Sequence, residues 1–177
     1  MTATAPSPAN NLTSDDRKVG LLTDLPAHVR IWLYKTTRDL SKAEQNLVRD
    51  RGAEFSGTWA AHGTPLDAAV DVLNDRFVVV AVDEDQALAS GCSIDRSVGF
   101  IKQLEHDLNL MLTDRMIVVY EHDDKVASCR LQDLPELLAQ GHLTAETMVF
   151  DDQVSTIGDL RERFRVPLRS TWLERYL

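Results

Sequence analysis

Two short polar turns, Asn74-Asp75 and Asp123-Asp124, each stand between two strand-forming runs, and nothing else in this chain constrains its fold as strongly. Before the first turn, Leu66, Ala68, Val70 and Val72 alternate with polar Asp67 and Asp71; after it, Arg76 leads into Phe77-Val78-Val79-Val80-Ala81-Val82. Asn and Asp tolerate the positive φ that two-residue hairpin loops require, so the spacing predicts an antiparallel pair. The second arm is apolar on both faces, which places it in the centre of a sheet with helices covering it. The second turn joins residues 115–121 to a return arm at 125–131 that carries Cys129. Two hairpins separated by a helix predict an α+β fold: a mostly antiparallel sheet with helices packed on it.

The remaining elements follow from period and caps. Residues 29–36 alternate Val29, Ile31 and Leu33 with Arg30, Trp32 and Tyr34, the period of a strand with aromatics on its second face. Ser41-Lys42-Ala43-Glu44 has the form of a capping box, and Ala43, Leu47, Phe55 and Trp59 can share one face of a helix running toward Ala61 and stopped by His62-Gly63-Thr64-Pro65. A second helix is expected over 94–108, with Ser93 as its N-cap and Ile94, Val98, Ile101, Leu104 and Leu108 as its buried face. Asp133 caps a short helix over 134–140, residues 147–150 add a short strand, Ser155 or Thr156 starts a helix to about Phe164, and 170–177 form a final helical turn or two. Residues 1–18 hold too little apolar surface to offset their ordering entropy and read as a loose tail, leaving 19–177 as one α+β domain.

Charge and cysteine usage narrow the function classes. A net charge of -9 without any stripe of Lys and Arg disfavours a duplex-binding surface, so nucleic acid is not an expected partner. Asp exceeds Glu 19 to 9 and Arg exceeds Lys 14 to 5, a bias that fits a salt-adapted surface as well as an ordinary acidic protein, so the acidity by itself names no ligand. No apolar run reaches the roughly 20 residues of a membrane span. Two cysteines in a chain of 177 residues, which is long enough to bury a core without staples, predict reduced thiols and a soluble, unexported, cytoplasmic protein. No cofactor is implied, and the oligomeric state is not readable.

The candidate site is Gly91-Cys92-Ser93, between the apolar arm of the first hairpin and the second helix. A thiol at a helix start meets unpaired backbone N–H groups and the positive end of the dipole, which favours the thiolate and could receive an anion. In this reading Gly91 permits close approach, the backbone of Ser93 and Ile94 receives a ligand, Asp95 sits in the first turn, and His62 in the loop after the first helix is the base a nucleophilic Cys92 would need. A metal site of Cys92, His62 and Asp95 is a lesser variant. Free cysteine is also among the most buried residue types, so Cys92, and Cys129 still more, can equally be packing residues, and His62 can cap the first helix.

The strings Trp59-Ala60-Ala61-His62-Gly63, Val82-Asp83-Glu84, Ala89-Ser90-Gly91-Cys92-Ser93-Ile94-Asp95-Arg96-Ser97, Thr147-Met148-Val149-Phe150-Asp151 and Ser170-Thr171-Trp172 resemble an uncharacterised bacterial family whose members often carry the label ABC transporter ATPase. The resemblance spans roughly residues 29–177, and Ser-Gly-Cys-Ser-Ile-Asp is its most specific string. It implies little about activity, and the label conflicts with the chemistry: no Gly-x-x-x-x-Gly-Lys-Ser/Thr loop exists here to cradle phosphates. Cys-x-x-Cys, His-Glu-x-x-His, Gly-x-Ser-x-Gly and Gly-x-Gly-x-x-Gly are missing as well.

Two functions from different classes remain. One is a pocket for an anionic or acyl-type small molecule at the Cys92 helix start, with thiol chemistry as an option. The other is a non-enzymatic interaction module in which the Cys92 segment is structural and the binding surface lies elsewhere, for example on the C-terminal Trp172, Arg175 and Tyr176.

Overall fold

The computed structural model describes residues 22–177; the tail expected over 1–18 and the domain start at 19 lie outside the described residues. The fold is α+β and its sheets are antiparallel, as the hairpins predict. The two hairpins, however, do not share one ladder. Strands β1 (Arg30–Lys35), β4 (Asp67–Leu73) and β5 (Phe77–Asp83) form a first sheet in the order β1-β5-β4. Strands β6 (Ile117–His122), β7 (Lys125–Arg130), β8 (Met148–Phe150) and β9 (Arg165–Pro167) form a second, in the order β7-β6-β8-β9.

Strand β5 is central, as its apolar run requires, but helices cover only one of its faces. Val78, Val80 and Val82 point into a core shared with helices α1 (Lys42–Thr58) and α2 (Gly91–Leu108), where they meet Val48, Trp59, Ile101 and Leu104. The alternate residues Phe77, Val79 and Ala81 face the second sheet and pack on Ile117, Val119, Phe150 and Phe164. The far face of the second sheet, with Val118 and Val149, is closed by Leu134 of α3 (Leu134–Ala139) and by Leu168 and Leu173 near the C-terminus. The result is four layers: helices, sheet, sheet, and a thin cover of short helices. A doubly buried strand contributes strongly to this, at roughly 1.5–3 kcal/mol for each large side chain withdrawn from water.

Local signals explain most boundaries. Asn74 and Asp75 have φ of 48° and 54°, and Asp123 and Asp124 have 50° and 58°, so both hairpin loops adopt the left-handed pair of a tight turn. At the start of α1 the capping box is complete: Ser41 Oγ accepts from the Glu44 N–H at 3.3 Å and the Glu44 carboxylate accepts from the Ser41 N–H at 2.7 Å. Thr156 caps α4 (Ile157–Arg163) by accepting the Asp159 N–H.

Other expectations need correction. The buried face of α1 is Gln45, Val48 and Gly52, whereas Ala43 is exposed, because the helix lies flat on β4 and needs its smallest residue where the backbones come closest. It stops at Thr58, and Trp59 extends the chain into a small hairpin of β2 (Ala60–Ala61) and β3 (Thr64–Pro65) turning at His62-Gly63, with φ of 50° and 85°. Helix α2 starts three residues earlier than predicted, with Ser90 and not Ser93 as its N-cap. Its buried face therefore begins Ser93, Ser97, Ile101, while Ile94 is half-buried and Val98 exposed. The two serines tolerate burial because each hydroxyl returns a hydrogen bond to the preceding turn, Ser93 to the Ser90 carbonyl at 2.8 Å and Ser97 to that of Ile94 at 2.7 Å. Asp133 precedes α3 without a side-chain capping bond, since a 3-10 turn (Leu131–Asp133) already brings the chain into helical geometry.

Candidate functional site

The candidate thiol stands at the start of α2. Gly91 is the first helical residue and Cys92 the second, and both are exposed. The thiol is thus reachable by solvent and not sealed in hydrocarbon. The main-chain donors expected beneath it are occupied within the helix: the Ser93 N–H goes to Ser90 Oγ at 3.3 Å and the Ile94 N–H to the Ser90 carbonyl at 2.9 Å. Ser93 is buried and its carbonyl accepts from the Trp59 indole N–H at 2.8 Å. Asp95 is exposed on the first turn, and His62 is exposed at the tip of the β2–β3 loop. Strand β2 does pack against α2, but among the described residues no hydrogen bond or ion pair joins Cys92, His62 and Asp95. None of these three lines either of two clefts, one between α1 and α2 and one along β1. Cys129 is half-buried in β7, and burial, followed by the nearby Asp133 carboxylate, pushes its thiol up to about 11.

A cluster unseen in the sequence lies at the end of β5. His28 Nε2 stands 3.3 Å from both Asp83 Oδ1 and Asp85 Oδ2, and the three donor atoms lie within 4.8 Å of one another. The Asp85 N–H bonded to Asp83, and then His28, hold the Asp83 carboxyl below its usual range. The ion pairs account for this exposed group.

The two clefts differ in charge. The first, about 620 Å³, runs between α1 and α2 over the stacked rings of Phe55 and Phe100, 4.4 Å apart. Its two cations face two carboxylates: Arg51 pairs with Glu54 at 3.3 Å and with Asp107 at 3.5 Å, and Arg96 donates to the Thr58 carbonyl at 3.3 Å. The second, about 790 Å³, lies along the outer edge of β1, between that strand, α2, the loop before β6, residues 152–155 and the C-terminal 3-10 turn (Trp172–Tyr176). Five cationic side chains line it against two carboxylates, and both carboxylates have partners: Asp152 pairs with Lys35, and Asp114 with Arg130 at 3.5 Å. Arg30 pairs with Glu84 and lies over the Trp32 ring at 4.6 Å. Lys102, Arg115 and Arg175 have no carboxylate within ion-pairing distance among the described residues. Arg175 stacks on Trp172 at 4.8 Å and on Tyr176 at 5.8 Å, which fixes its guanidinium at the rim. Burial raises the Tyr34 hydroxyl, and the charge of Arg115 opposes that rise.

This constellation was only partly readable. The Trp172, Arg175 and Tyr176 patch stands out in the sequence as an aromatic and basic C-terminus. Lys102, Arg115 and the β1 edge come from segments far apart in the chain, and no local pattern links them. No family model, curated protein or solved structure matches the chain. Among the described residues no helix is long and apolar enough to cross a membrane.

Proposed function

We propose that the chain is a non-enzymatic binding module for an anionic partner, with the β1 cleft as its recognition surface. The observation that carries this is the convergence of Lys102, Arg115 and Arg175, none with a carboxylate within ion-pairing distance among the described residues, on the walls of one aromatic-lined cleft in a chain of net charge -9. An acidic surface repels polyanions over most of its area, so a local cationic hollow both concentrates and orients them. A cleft of this volume falls within the range of ligand-binding sites. We also propose a cytoplasmic location, which the free thiols of Cys92 and Cys129 support.

Fluorescence anisotropy with labelled oligoglutamate tests this. Binding should weaken as salt rises and fall at least about tenfold when Arg115→Glu and Arg175→Glu are combined, equivalent to about 1.4 kcal/mol. Undiminished binding by that variant, or no binding at low salt, counts against the cleft.

A second reading keeps the small-molecule, thiol-dependent site at Cys92, and it is favoured by one observation, the exposure of that thiol in the first turn of α2. Cys92→Ser separates the two: the cleft reading expects unchanged oligoglutamate binding, and the thiol reading expects loss of a covalent adduct with an acyl thioester probe.

A further inference from the structure

We propose that the partner is an extended acidic peptide that adds as a strand to the free edge of β1 at Leu33 and Lys35; this rests on the cleft being the recognition surface.

β1 pairs with β5 through Arg30↔Val82, Trp32↔Val80 and Tyr34↔Val78, among others, and in an antiparallel pair alternate residues aim their N–H and C=O to opposite sides. Which set faces outward is fixed by Ile31, whose N–H donates away from β5 to the Ser155 carbonyl at 2.9 Å. The main-chain groups of Leu33 and Lys35 therefore point outward too. On that side the ladder stops: neither residue's N–H or C=O has a hydrogen-bond partner among the described residues. Before Ser155 the neighbouring chain, residues 152–154, lines the opposite side of the cleft without a main-chain bond to β1, and Asp152 reaches across through its side chain, to Lys35.

An open strand edge is a template for another strand, and proteins ordinarily cover it. Here every residue of β1 lines the cleft, Ile31 and Lys35 buried and the other four half-buried, so the unpaired edge is its floor, reached first at Leu33 and closed over Lys35 by the Asp152 side chain. A strand laid there would direct alternate side chains toward the helix layer, where Trp32 and Tyr34 pack and Lys102 stands, and the others toward the core between the sheets. Arg115, close enough to influence the Tyr34 hydroxyl, and Arg175 on Trp172 complete a cationic setting that fits an acidic sequence. Main-chain pairing would supply affinity, and the cations would select charge and direction.

The probe is a short labelled peptide alternating glutamate with valine, made also in two forms N-methylated on alternate amides, one on the odd and one on the even positions. Strand addition presents only one set of amides to β1, so one methylated form should lose binding by about tenfold or more while the other retains it. Leu33→Pro is the matching protein variant: it deletes one outward N–H, leaves the β5 ladder intact, and should weaken the unmodified peptide, with thermal unfolding as the check on folding. Equal binding by both methylated forms overturns strand addition while leaving an anion-binding cleft. No binding by any form, with oligoglutamate also unbound, removes both readings. A concentration-dependent dimer that Leu33→Pro dissolves would assign the edge to a second copy of the chain and overturn the peptide.

Discussion

Trp59 donates its indole N–H to the main-chain carbonyl of Ser93 at 2.8 Å, tying the end of α1 to the first turn of α2 across 34 residues of chain. Both groups are buried, so the bond is made away from competing water. Trp59→Phe keeps an aromatic against Phe55 and Trp32 but removes the indole donor and leaves a gap in the core, while the Ser93 carbonyl retains its place in the α2 ladder. It should cost about 1–3 kcal/mol in denaturant unfolding. A loss of a few tenths would mean that the contact is only packing.

Gly52 decides how closely α1 lies on β4. A Cβ at this position would stand 2.5 Å from the Val70 Cβ, so Gly52→Ala should destabilise by about 1–3 kcal/mol although alanine is the better helix former. Val70→Ala should not rescue it, because the clashing atom remains. Equal or greater stability of the single variant by thermal melting would refute the close approach.

The two thiols should separate cleanly. Cys92 is exposed, so a disulfide reagent near neutral pH should modify it in the native protein at once, and Cys92→Ser should abolish that phase. Cys129, its thiol held up near 11, should react only on unfolding. Two native thiols reacting at one rate would contradict the half-burial of Cys129.

Acid should loosen α1 through its cap. Arg38, then the Ser41 N–H, hold the Glu44 carboxyl down at about 2, against an ordinary value of 4.5. Because the folded state binds this proton less tightly, the stabilisation is full above pH 4.5 and is lost as pH falls toward 2. The stability difference between the wild type and Glu44→Gln should shrink across that window. A difference independent of pH would remove the ionic part of the cap.

Asp124 holds a left-handed backbone, φ 58°, at an exposed loop tip. Asp124→Gly removes the strain and should stabilise by roughly 0.5–1 kcal/mol, read as a raised Tm. Destabilisation would indicate an unrecognised contact of the aspartate.

How far a feature could be read from sequence tracks how local its cause is. The hairpin turns at Asn74-Asp75 and Asp123-Asp124 and the Ser41–Glu44 box act within a few residues, and all three form as expected. The start of α2 is less legible, because Gly91-Cys92-Ser93 has weak helix propensity and Ser93 reads as a cap. Ser90 caps instead, and Trp59 secures the Ser93 carbonyl. The donors imagined for a ligand at Ser93 and Ile94 are consequently spent inside the helix.

The sequence by itself determined the antiparallel hairpins, the doubly apolar β5 and the helix caps, because backbone φ preferences and side-chain period act on neighbours in the chain. Only tertiary structure decided that the hairpins head two facing sheets, that Cys92 stands in the open, and that Lys102, Arg115 and Arg175 converge on the bare edge of β1. Those outcomes depend on which distant surfaces exclude water together, and no local spacing in the chain encodes that.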